Sequence, residues 1–296
     1  MNTISRKAYA KLNLVLDITG RREDGYHLIR TVMHTIDIAD ELVFTKTERD
    51  GNRLFLGEGS IVTAGQLSVG EDNLILKAAN RMKERFGLSQ AVDIHWTKKV
   101  PMAAGMASGS ADAACTLLAI NELFDCHATK EELEQMALLL GADVPYCLFG
   151  GCALAEGIGE VLTPLPALPH VPVVIAKPQG GVSTADIYRR LDAFRNPLHP
   201  PVDLMTEAIR QGDVAALCNA TGNILEAVCR EDVPVIGDIE IALEEAGAMT
   251  ARMTGSGPTV FGIFEKEEQA AEAASRLQNR FTDLFVTATV LANLQA

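Results

Sequence analysis

The stretch Pro101–Ala114, PMAAGMASGSADAA, decides how the rest of this 296-residue chain is read. Small residues fill nearly every position, and a helical pattern follows at once, starting at Ser108 or Ser110 and running to about Phe124. A loop this bare lets backbone N–H groups approach an anion, and a helix N-terminus adds its own positive end. Phosphate is the natural ligand. The spacing is neither G-x-x-x-x-G-K-[ST] nor a strand-borne G-x-G-x-x-G. Taken alone, the stretch also fits a tight turn feeding a closely packed helix.

Composition bounds what such a loop can serve. At 48% hydrophobic and 22% charged residues the chain is a globular protein with material for one large or two ordinary domains. A net charge of −13 disfavours nucleic-acid and anionic-membrane partners, which need basic surfaces. One phosphate site needs only local positive potential. The six cysteines form no C-x-x-C and no zinc-type cluster with histidine, which fits a reduced, cytoplasmic setting. No apolar signal core opens the chain, and no run of 18 apolar residues occurs.

Outward from the loop, Ala8–Ile18 alternates. Leu12, Leu14, Leu16 and Ile18 face one way, while Lys11, Asn13 and Asp17 face the other, predicting a strand with a wet, cationic face. Further strands are expected over 32–38 and 41–47. A helix capped by Asp72 should follow, then a strand Val92–Trp96 leading into the loop. Thr129 and Glu132 form a capping box. Phe149–Ala155 reads as a strand. Thr163–Pro172 holds four prolines and marks the domain boundary, dividing the chain into 1–163 and 164–296. Beyond it come a strand at 173–176 and helices at 184–191, 203–210, 213–228 and 235–246. Strands 251–254 and 259–264 are joined by GSGP, and a helix (266–280) and a strand (285–291) close the chain. Without strict βαβ alternation, the class is α+β.

Phosphoryl transfer needs a phosphate cradle, a group that positions or deprotonates the acceptor, and cations that offset developing charge. Asp143, in GADVP, is a candidate for the second, although an Asp before X-Pro commonly bonds its own turn. Lys11 is a candidate for the third, although it also reads as a solvent-facing lysine.

Together these pieces resemble the GHMP kinase superfamily. AKLNL (10–14), the loop at 101–109 and TGSGPT (254–259) match in order, and GRREDGYH (20–27), LGADVP (140–145), AEGIG (155–159) and KPQGGVST (177–184) add family-spaced segments across the chain. The resemblance implies a two-domain fold, with a ribosomal-protein-S5-like N-terminal domain and a ferredoxin-like C-terminal domain. It implies MgATP-dependent phosphorylation of the 2-hydroxyl of a cytidine diphosphate-linked methylerythritol, a step of non-mevalonate isoprenoid precursor synthesis. By the same resemblance Asp143 and Lys11 are catalytic. Pro101, Met102, Ala103, Ala104, Gly105, Met106, Ala107, Ser108, Gly109, Ser110 and Ala111 hold ATP. Asn13 meets the sugar-alcohol hydroxyls, and Tyr26, His27 and Tyr188 take the cytosine. Tyr188 also reads as a half-buried helix residue, and Asn73, Ser183 and Thr184 as helix caps. Magnesium is expected to travel with ATP, with no ligands assigned.

The loop departs from its relatives. Ala103, Ala104, Ala107 and Ser108 replace glycines, and Ala111 stands where serine is common. The cradle survives if the alanines keep negative φ, with Gly105 and Gly109 taking the unusual angles. A mevalonate- or homoserine-type kinase is the first alternative, and DGYH weighs against it because those acceptors carry no base. A non-catalytic nucleotide-binding regulator is the second, and Lys11 with Asp143 weighs against that.

Overall fold

Apolar alternation carries the N-terminal segment into a strand, and the computed structural model, which describes residues 2–63, 65–168, 170–194 and 196–294, shows how far it runs. β1 (Thr3–Arg21) turns into β2 (His27–Thr47), and the two pair antiparallel from Thr3↔Thr45 to Arg21↔His27. The two strands expected over 32–38 and 41–47 are one. The face of β1 expected to be wet is covered, with Lys11 and Asn13 only 4% and 5% exposed. Two later segments lie on it. Lys11 N–H donates to Met106 O at 3.2 Å, and Asn13 N–H to Thr254 Oγ1 at 2.7 Å. Register shifts between Tyr9 and Lys11 and between Asn13 and Val15 bracket this pair, where bulges re-aim side chains.

β3 (Arg53–Leu56), α1 (Leu74–Phe86) and β4 (Ala91–Thr97) come next. Asn73, not Asp72, caps α1. Its extended backbone lets its side chain accept from Ile75 N–H at 2.9 Å, while Asp72 accepts from Ser68. α2 (Ser108–Leu123) starts at the loop, and α3 (Lys130–Leu138) at the expected capping box of Thr129 and Glu132. A short helix not read from the sequence, α4 (Val144–Phe149), follows with Pro145 in its first turn and delays the next strand, β5 (Cys152–Glu156). β6 (Val161–Pro164) and β7 (Val171–Pro178) flank the proline-rich stretch, in which Pro169 lies outside the described residues.

The remainder holds α5 (Thr184–Leu191), α6 (Val202–Gln211), α7 (Val214–Asn219), β8 (Gly222–Asn223), α8 (Glu226–Asp232), α9 (Val235–Glu245), β9 (Thr250–Met253), β10 (Val260–Ile263), α10 (Glu267–Arg280) and β11 (Leu284–Leu291). The single helix expected over 213–228 is broken by β8, which pairs parallel with Val15 and Leu16 of β1. Asn223 also donates its side-chain amide to Met253 O and Gly255 O, a use a continuous helix would forgo.

The main sheet runs β3-β4-β2-β11-β7-β10-β9, and β1, β5, β6 and β8 join it from the side. Its two parts connect where Leu291 pairs with Ile36. One apolar core lies between the first strands and α1 to α4, and another packs α8, α9 and α10 on β7, β9 and β10. The β9–β10 turn, Gly255–Pro258, is the expected hairpin, and it lies backbone to backbone against the phosphate loop. A Cβ at Gly105 would meet Thr254 O at 2.4 Å, and one at Gly255 would meet Gly105 O at 2.5 Å.

His34, fully buried in β2, donates Nδ1–H to Thr35 O at 2.8 Å. Burial pushes its pKa down from 6.5 to about 4. The neutral form therefore favours folding, so stability is complete above pH 6.5 and is lost as pH falls toward 4. Denaturant titrations at pH 7 and pH 5 should show the wild type losing about 2 kcal/mol more than His34→Leu.

Candidate active site

The elements above enclose a cleft of about 1080 Å³. One end is the phosphate loop and the start of α1, the other is the β1–β2 turn and α5, and Lys11 and Asp143 lie on its lining. Lys11 Nζ donates to Asn13 Oδ1 at 2.6 Å and to Gly105 O at 3.0 Å, and it lies 3.9 Å from Asp143 Oδ2. Asp143 occupies the N-cap position of α4, yet its side chain makes no cap hydrogen bond. The turn-residue reading of Asp143 therefore lacks its bond, and the carboxylate faces the ammonium instead. Asn13 is held at both ends, because its Nδ2 donates to Thr31 Oγ1 at 2.8 Å. One lone pair of its oxygen remains for a ligand.

From the loop, Pro101, Met102, Ala103, Ala104, Gly105, Ala107, Ser108, Gly109 and Ser110 line the cleft. Met106 and Ala111 turn into the core, 1% and 2% exposed. Gly105 takes a left-handed angle as expected (φ +70), but Gly109 is helical. The other unusual angles fall on alanines, with φ of 45 at Ala103 and 55 at Ala107. Each costs roughly 1–2 kcal/mol relative to an ordinary backbone conformation. Ala107 is also the N-cap of α2 and has no side chain with which to cap it. The first-turn amides of α2 are thus left for an anion, and the helix dipole favours one there.

At the other end His27 is nearly buried and its ring centroid is 5.1 Å from that of Tyr188. Tyr188 sits on α5, where burial pushes its hydroxyl pKa up. Tyr26 is 61% exposed at the cleft mouth, available as a stacking face. Ser183 caps α5 through Asp186 N–H, and Thr184 Oγ1 lies 2.9 Å from Ser256 Oγ. Asn73 both caps α1 and lines the cleft.

Sequence reasoning missed a charged cluster beneath the loop. Lys98 Nζ donates to Asp40 Oδ2 and Ser108 Oγ, with Asp112 Oδ2 at 3.7 Å, and all three charged residues are buried. Asp40 Oδ1 also accepts from the N–H groups of Lys99 and Val100 at 2.6 and 2.8 Å. Burial, opposed by Lys98, pushes the Asp112 carboxyl above its usual range. A signal existed. Val92, Ile94 and Trp96 alternate along β4, and Lys98 falls next in the buried register.

Comparison with known proteins places these features in a family. Residues 73–151 match the model for the GHMP kinases N-terminal domain, and residues 205–283 that for the GHMP kinases C-terminal domain. A 4-diphosphocytidyl-2-C-methyl-D-erythritol kinase of Lachnospira eligens is 43% identical over 98% of this chain and 99% of its own. One from Clostridium beijerinckii is 41% identical over 96% of this chain and 99% of its own. A crystal structure of 4-(cytidine 5'-diphospho)-2C-methyl-D-erythritol kinase superposes with a TM-score of 0.80 at 33% identity, covering 98% and 99% of the two chains. The homoserine kinase of Cytophaga hutchinsonii shares the fold, with a TM-score of 0.78 at 21% identity.

The buried pair beneath the loop should behave as a structural keystone. Lys98→Met leaves Asp40 buried without its counter-ion and should cost about 3–5 kcal/mol in chemical denaturation.

Proposed function

This chain belongs to the GHMP kinase family, with its two-domain α+β fold, and from that premise we propose how it transfers the γ-phosphoryl group of ATP to the 2-hydroxyl of 4-diphosphocytidyl-2-C-methyl-D-erythritol. The product is the 2-phosphate, formed in non-mevalonate isoprenoid precursor synthesis. The observation that carries the reading is the placement of Lys11 and Asp143 in one cleft between a phosphate loop and an aromatic end. We divide the chain near residues 163 and 164, a boundary supported by family matches that end at 151 and resume at 205.

ATP binds on the loop side, its phosphates against the free amides at the start of α2 and the backbone of residues 101–110. The cytosine lies by Tyr26, His27 and Tyr188, and the methylerythritol spans the middle of the cleft beside Asn13. Asp143 accepts the proton of the 2-hydroxyl and orients its oxygen toward the γ-phosphorus. Lys11, 3.9 Å from that carboxylate, offsets charge on the transferring group. The acceptor is a tertiary alcohol, hindered and weakly acidic, so positioning contributes more than basicity. Transfer is direct, with Asp143, which faces the Lys11 ammonium, acting on the acceptor's proton and not as a phosphoryl carrier. Magnesium enters with ATP and screens its phosphate charge. Phosphate oxygens and water supply most of its ligands, as is usual for magnesium carried on a nucleotide.

A coupled ADP-release assay with the cytidine substrate, mevalonate and homoserine should give turnover on the first alone. Turnover on another alcohol would overturn the reading of Tyr26 and His27. Asp143→Asn should lower kcat by roughly 10²- to 10⁴-fold with ATP affinity retained. In the same assay Tyr26→Ala should raise KM for the cytidine substrate roughly 10-fold or more and leave KM for ATP unchanged.

A further inference from the structure

His27 stands between two cavities. It lines the large cleft with Tyr26 and Tyr188, and it also lines a smaller neighbouring cavity with Arg21, Asp192 and His199. Asp192, at the C-cap of α5, approaches from that second side. Its Oδ1 is 2.7 Å from His27 Nε2, and its Oδ2 accepts from Arg21 Nη1 at 3.1 Å. The same guanidinium donates from Nε to Gly25 O at 3.0 Å, so one arginine ties the carboxylate to the turn that carries Tyr26. Tyr188, one turn before Asp192 on α5, packs its ring against that of His27 at a tilt of 51°.

This geometry determines which nitrogen carries the hydrogen. An ionised carboxylate only accepts, so Nε2 must donate, and in a neutral imidazole Nδ1 is then an acceptor. Among the described residues nothing donates to Nδ1. The exocyclic amine of cytosine is a donor, whereas uracil presents a carbonyl oxygen at the same place. We infer that Asp192 is a positioning residue that holds His27 in its Nε2–H tautomer, so that Nδ1 accepts from a cytosine amine and the site prefers cytosine over uracil. The base preference rests on the cytidine reading given above; the tautomer does not.

Two measurements separate these layers. Long-range ¹H–¹⁵N spectra of histidine-labelled protein at pH 8, with His27 assigned by its loss in His27→Gln, should show the Nε2–H tautomer in the wild type. Asp192→Ala should shift His27 toward the other tautomer. In steady state Asp192→Ala should raise KM for the cytidine substrate roughly 5- to 20-fold, with kcat and KM for ATP unmoved. Its discrimination against a uridine diphosphate-linked analogue should narrow by a similar factor. An Nδ1–H or doubly protonated His27 in the wild type overturns the inference. So does an unmoved KM, or a variant that melts lower and loses kcat and both KM values together. A wild type that ignores the cytidine substrate overturns the functional reading and the base preference with it, while the tautomer, read without substrate, stands or falls on its own spectrum.

Discussion

The ammonium of Lys11 is the point on which the site is assembled. It is almost wholly buried, and it reaches the amide of Asn13 on its own strand, the carbonyl of Gly105 in the phosphate loop and the carboxylate of Asp143 ahead of α4. Three distant segments are held together by one charge. A buried cation of this kind is tolerated only where partners surround it. That requirement is met because Met106 and Thr254 cover the face of β1 that carries Lys11 and Asn13.

The phosphate loop is held from below and strained above. Lys98 and Asp40 fix Ser108 at the first turn of α2, while Ala103 and Ala107 keep angles that alanine adopts reluctantly. The buried cluster over-determines the loop, and this is how unfavourable backbone conformations persist. The result is a first turn of α2 whose free amides are held in place by contacts that need no ligand.

Much of this was legible in the residues. The span of α5, the capping box ahead of α3 and the GSGP hairpin follow from local chemistry, and local chemistry survives into the fold. Lys11, Asp143, Tyr26, His27 and Tyr188 all line one cleft, as the family resemblance implied. The failures share a cause. The wet face expected for β1, the negative φ expected for the alanines and the unbroken helix over 213–228 were each decided by a partner far away in the chain. Met106 and Thr254 cover β1, the close approach of the hairpin turn constrains the loop, and β1 itself captures β8. Asp40 and Lys98, 58 residues apart, were silent for the same reason.

The contact between Gly105 and Gly255 leaves no room for a single methyl group on either side. A surface that tight cannot be inherited piecemeal. A chimaera that takes its phosphate loop from one kinase and its hairpin turn from another must bring both backbones in matching shape, or the two halves will not close on each other. The unit of exchange in this architecture is therefore the seam, made of two short segments about 150 residues apart, and not either domain by itself.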